Sequence, residues 1–190
     1  MYLQLGFEHI TSLESLDHIL FVVALAIVYI FSEYKKVLIL VTAFTIGHSI
    51  TLALSTLQFI NFSTNIIEFL IPLTIFISST FNIYYAKKND YNKSKLQISK
   101  YLIALSFGLI HGLGFSFTLR ALLGGEGSIV LPLFAFNVGL EIAQIVIVLM
   151  ILSVSTFLIK FIKLKQKVWI LTVSFLTAIV SIQMMVSRII

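Results

Sequence analysis

Long apolar runs, each broken by a short polar stretch, recur along the whole chain and predict six helical spans, over residues 13–32, 37–58, 65–86, 100–121, 129–159 and 168–187. A bilayer core is crossed by about 20 apolar residues in helical form, and the runs reach that length. The fifth is long enough to tilt or protrude. Thr11 and Glu14 stand at capping-box spacing just ahead of the first run. The first helix is therefore expected to begin near Ser12, leaving residues 1–10 as a separate surface or re-entrant segment. The fold class expected is an all-α polytopic transmembrane bundle forming a single domain over residues 1–190.

Composition agrees. Of 190 residues, 59% are hydrophobic and only 11% charged, a balance that a soluble domain of this size does not keep in solution. The net charge of +5 is then an orientation signal rather than a sign of nucleic-acid binding. Lys35, Lys36, Lys87, Lys88, Lys93, Lys95, Lys100, Lys160, Lys163, Lys165 and Lys167 fall in or beside the first, third and fifth connections, against Arg120 and Arg188 on the other side. That asymmetry places the odd connections in the cytoplasm and both termini outside, in a multi-pass protein of the cell (inner) membrane. The first sixteen residues hold no Lys or Arg and include Glu8, His9 and Glu14, the reverse of a signal peptide's basic start, so an uncleaved N-terminus is expected.

An ionised side chain at the bilayer centre costs at least about 2.5–3.5 kcal/mol, so such residues face a bundle interior and mark function. His48, His111 and Glu141 each fall roughly 15 Å from an end of their span at about 1.5 Å per residue, which brings three helices to a common depth. Asp17 and His18 lie near the outer end of the first span, and Glu68 near that of the third. Polar residues recur at three and four on several spans: Thr42, Thr45, His48 and Ser49 on the second, and Asn137, Glu141 and Gln144 on the fifth. Gly108 and Gly112 bracket His111 at a spacing that lets a neighbouring backbone approach closely. The sixth span carries Ser174, Thr177 and Ser181 but nothing ionisable, and is expected to pack outside the site.

The chain has no cysteine, so thiolate ligands and disulfides are excluded and only nitrogen and oxygen ligands remain. Imidazole with carboxylate suits a divalent transition metal such as Ni, Zn or Co. The candidate ligands are His18, His48, His111, Glu141 and Asp17, with His9, Asn137, Glu68 and Ser49 as supporting or vestibule residues. Asp17, Asn137, Ser49 and Thr45 are expected to hold ligand imidazoles by their second nitrogen. Each residue has a plainer alternative. Glu141 as a protonated, hydrogen-bonded acid, Asp17 as a helix N-terminal charge, Glu68 as an interfacial charge, His9 as a surface residue and Arg120 as a snorkelling cation are all consistent with their positions. His48 and Ser49 are adjacent on a helix and point about 100° apart, which argues against a hydrolase triad. Gly124, Gly125 and Gly127 lack the sequence context of a phosphate loop.

Four motifs in order carry a resemblance: Gly6-Phe-Glu-His9 followed after seven residues by Asp17-His18-Ile-Leu-Phe; Thr42-Ala-Phe-Thr-Ile-Gly-His48-Ser; Phe107-Gly-Leu-Ile-His111-Gly-Leu-Gly; and Phe136-Asn-Val-Gly-Leu-Glu141. Together they closely resemble the HupE/UreJ family of hydrogenase and urease accessory membrane proteins, in its broader branch. The resemblance implies a small permease for nickel or a related divalent metal, with metalloenzyme maturation as its setting. It matches His9, Asp17 and His18 to the family's first motif, His48 to the second, and His111 with Glu141 to the later ones. Two readings follow: a divalent-metal permease or handling protein with a midplane His/carboxylate site, or a zinc-dependent intramembrane hydrolase with Asp17 or Glu141 as base. Membrane lipid and the metal ion are the partners expected, with no nucleic acid. The oligomeric state stays open.

Overall fold

A computed structural model describes residues 1–12, 15–89, 94–123 and 128–188. Among the described residues seven α-helices follow one another: α1 (Tyr2–Thr11), α2 (Leu16–Ala26), α3 (Tyr34–Thr56), α4 (Thr64–Lys87), α5 (Ser94–Leu123), α6 (Val130–Thr156) and α7 (Gln166–Ser187). No strand occurs among the described residues. Among the described residues five helical segments are long and apolar enough to cross a membrane, and a sixth is reached if α1 and α2, bent by 70° to one another, count together as one broken span. The protein is thus an all-α, multi-pass membrane bundle. The last five expected spans coincide with α3 to α7, and the unusual length of the fifth is real, since a π-helical turn at Phe157–Phe161 continues α6.

The first expected span is corrected. Residues 13–32 do not form one helix: α2 has 11 residues, about 16 Å at 1.5 Å per residue, which is too short to cross alone. Side chains of other helices meet its end. Asn82 Nδ2 on α4 donates to Ala24 O at 2.7 Å, supplying a donor that a helix end otherwise lacks. Just beyond it, in the buried segment Ile27, Val28 and Tyr29, Gln166 Nε2 on α7 donates to Val28 O at 3.0 Å. Thr11 closes α1 rather than opening a helix, its hydroxyl donating to Phe7 O at 3.0 Å. Glu14, its expected capping partner, and Gly124, Gly125 and Gly127 lie outside the described residues.

The N-terminal segment forms a helix packed into the bundle. At Gly6 an added Cβ would overlap the carbonyl oxygen of Phe136, and at Gly139 one would overlap that of Leu3. Helices α1 and α6 therefore meet backbone to backbone. The same device joins α3 to α5, where a Cβ at Gly108 would strike Phe44 O and one at Gly112 would strike His48 O. Close seams of this kind maximise dispersion contact between helices when lipid supplies no hydrophobic drive. Helix α7 lies on α4, with Ser79 Oγ and Thr177 Oγ1 2.8 Å apart at their interface. At the lysine-rich end, Lys167 Nζ donates to Lys87 O at 3.2 Å and Phe31 N–H to Thr156 Oγ1 at 2.8 Å, tying the helix ends together.

Candidate metal centre

The two glycine seams and the bend between α1 and α2 bring histidines from three helices together. His9 sits near the end of α1, His18 near the start of α2 and His48 in the middle of α3. Their ring centroids are 4.6 Å (His9 to His18), 6.1 Å (His9 to His48) and 6.1 Å (His18 to His48) apart. One nitrogen from each ring lies within 4.8 Å of the others, a spacing that one metal ion bridges. His111 stands beside this group, its ring 5.1 Å from that of His18. Aromatic rings enclose the cluster: Phe115 lies 4.1 Å and Phe136 5.7 Å from His9, and Phe44 6.0 Å from His48.

Hydrogen bonds fix which nitrogens are presented. Asp17 Oδ1 lies 2.8 Å from His18 Nδ1 and also accepts the His18 backbone N–H at 2.8 Å. A carboxylate only accepts, so Nδ1 carries the proton and the buried Nε2, which has no protein partner, keeps its lone pair. That is the carboxylate–histidine arrangement that orients a ligating imidazole. Asp17 is held in turn by Arg188, whose Nη2 is 3.5 Å from Oδ2. The other Arg188 nitrogen, Nη1, donates to the Glu68 carbonyl at 2.9 Å. Pro72 explains that carbonyl's availability: four residues on in α4, it has no N–H to return to Glu68 O, and the guanidinium takes the vacant position.

His111 is fixed with the opposite tautomer. Thr74 Oγ1 donates its one hydrogen to Ile71 O at 2.7 Å, so it accepts from His111 Nε2 at 3.0 Å, and Nδ1 of His111 remains a buried acceptor without a protein partner. His48 is fully buried and neither ring nitrogen has a protein hydrogen bond. An unsatisfied buried polar group costs about 1–3 kcal/mol. His9 Nε2 is likewise buried without a protein partner; four histidines with open, buried nitrogens, three of them within 4.8 Å of one another, are thus poor packing residues and a good imidazole donor set for a divalent metal of borderline softness.

The structure separates other residues from this group. Glu141 accepts a hydrogen bond from Thr42 Oγ1 at 2.8 Å and lines a different cleft, between α3 and α6, with Ser49 and Asn137. Ser49 donates to Thr45 O at 2.7 Å, Asn137 to Leu133 O at 2.9 Å, and Thr45 to Gln144 Oε1 at 2.8 Å, so none of these holds an imidazole. Among the four residues expected to do so, only Asp17 does. Arg120 donates to the Ser55 carbonyl. A cleft lined by Ser15, Glu68, Ile71 and Arg188 opens onto His9, Asp17, His18 and His111.

From the sequence His9 reads as a vestibule residue and Arg188 as a flanking charge, and nothing in the pattern points to Thr74. The four-residue interval from Glu68 to Pro72 was the available sign that a carbonyl near the site would need an outside donor.

Neither a curated protein nor a solved structure matches the chain. A family model described as HupE / UreJ protein matches residues 1–188.

Proposed function

Because the chain belongs to the HupE / UreJ protein family, we propose that it is a permease or handling protein for a divalent transition metal, nickel or one like it, that feeds metalloenzyme maturation. The observation that carries this reading is the inward-facing trio His9, His18 and His48, with one nitrogen each within 4.8 Å of the others. His18 binds through Nε2 under the hold of Asp17. His111, which lines the same cleft, stands beside the trio and offers Nδ1 to the ion as a further donor. With the lysine-rich connections in the cytoplasm of an inner-membrane protein, the cleft beside Glu68 faces outside and receives the ion.

Three histidines and an open position would also suit a zinc hydrolase, which needs a general base near the bound water. The two carboxylates named for that role are both engaged elsewhere: Asp17 with His18 and Arg188, and Glu141 with Thr42 in the other cleft. Glu68, the remaining carboxylate lining the histidine cleft, sits exposed at its rim, where a charge attracts cations. Transport is therefore the better use of this geometry.

Reconstitution tests it. Proteoliposomes holding the wild-type chain should accumulate Ni²⁺, Co²⁺ or Zn²⁺ above protein-free vesicles, and His48→Ala should abolish that uptake. Bound metal with no uptake of any of the three ions would overturn the transport reading.

A further inference from the structure

A second cavity lies deeper in the bundle, on the side of the lysine-rich loops, lined by Ser78, Asn82 and Tyr85 of α4, Ser99 and Lys100 of α5, and the end of α2. Four helices run past both openings and each shows the same order of residues. On α5, His111, Phe107 and Ile103 follow at intervals of four; on α3, His48, Phe44 and Leu40 do so; on α4, Ile71, Ile75 and Ser78 occupy one side; on α2, His18, Phe21 and Leu25 do. The first of each set belongs to the histidine cleft or its cluster, and the last lines the inner cavity. The two spaces are thus stacked, about two helical turns or roughly 11 Å apart, and the middle residue of every set is apolar.

Those middle residues form a layer. The Phe21 ring lies 4.8 Å from Phe44, 5.9 Å from Phe107 and 5.1 Å from His111. Phe21, Phe44 and Ile75 are at most 1% exposed. The cavity beyond is walled mainly by apolar side chains but receives polar groups: Ser78 is 7% exposed and its hydroxyl has no protein partner, and Lys100 Nζ reaches the Tyr29 hydroxyl at 3.4 Å. Polar side chains at membrane depth face water or one another, and an apolar constriction between wet spaces closes a pathway by excluding water.

We infer that the Ser78 and Lys100 cavity is an aqueous vestibule open to the lysine-rich face, and that Phe21, with Phe44, Ile75 and Phe107, is the partition that separates it from the histidine cluster. Among the described residues its lining holds no His, Asp or Glu, so it offers a cation no strong ligand. The partition gives the proposed permease a closed position. The layer itself is tested by water access, which needs no metal.

The chain has no cysteine, so single cysteines report cleanly. Ser78→Cys and, as the opposite-side control, Ser15→Cys are labelled with a charged, membrane-impermeant thiol reagent in right-side-out and inside-out vesicles. Ser78→Cys should react only from the lysine-rich face and Ser15→Cys only from the other. Adding Phe21→Ala, or the milder Phe21→Leu if the first fails to fold, should expose position 78 from both faces. An unreactive Ser78→Cys overturns the vestibule; reaction from both faces with Phe21 intact, or no change in either Phe21 variant, overturns the partition. Metal uptake read on the same vesicles keeps the functions apart: correct labelling without uptake supports the partition and removes transport alone.

Discussion

Asp17 Oδ1 stands 2.8 Å from His18 Nδ1, and this one contact determines that Nε2 is the nitrogen His18 offers to a metal. Replacing the carboxylate by an amide keeps the shape but removes an obligate acceptor. Asp17→Asn should weaken metal binding about 10- to 100-fold, the usual cost of losing such a partner, while helical content by circular dichroism stays at the wild-type level. Titration calorimetry in detergent measures it; unchanged affinity would mean that His18 is not oriented through Asp17.

Thr74 tests whether His111 is positioned or merely packed. In Thr74→Val the His111 Nε2–H loses its acceptor, which should cost about 1–3 kcal/mol of stability and lower the melting temperature. Metal stoichiometry should be retained, because the trio is untouched. A melting temperature equal to wild type would contradict the assigned tautomer.

The glycine seam that docks α1 carries His9 with it. Gly139→Val places side-chain atoms where the Leu3 carbonyl lies, so α1 must move and His9 must leave the cluster. We expect a loss of at least about 1–3 kcal/mol, as for overpacking generally, together with a clear loss of metal affinity. Gly114→Ala is the control: there a Cβ meets the end of the Ile71 side chain, 2.8 Å from its Cδ1, which can rotate aside. Equal effects of the two substitutions would contradict the seam's role.

Acid should release the metal. A histidine binds only when neutral, so protons compete with the ion. Affinity should fall in acid, once imidazole protonation competes with binding, and recover on return. Calorimetry across a pH series measures it; affinity that stays flat with pH while the chain remains folded would argue against imidazole ligands.

How much of this was legible beforehand follows from what a sequence encodes. Depth is a matter of counting, at a fixed rise per residue, and so His48 and His111 could be assigned to one level and five spans drawn nearly as they are. Rotation about the helix axis is not encoded in the same way. Glu141 has a depth similar to the histidines, but α6 turns its carboxylate toward Thr42 and a separate cleft. The docking of α1 depends on Gly6 and Gly139, 133 positions apart in the chain, and Glu8 and His9 made that segment look like surface. The end of α2 meets Asn82 of α4 and the segment after it meets Gln166 of α7, donors that no local pattern around residue 26 reveals.

His9 and Glu141 therefore separate the geometry most sharply from what spacing alone allows. The most direct test is metal content by mass spectrometry on detergent-purified wild type, His9→Ala and Glu141→Gln, loaded with Ni²⁺ and washed. One ion per chain in wild type and Glu141→Gln, and none in His9→Ala, is the result this account predicts; full loading of His9→Ala, or its loss in a folded Glu141→Gln, would contradict it.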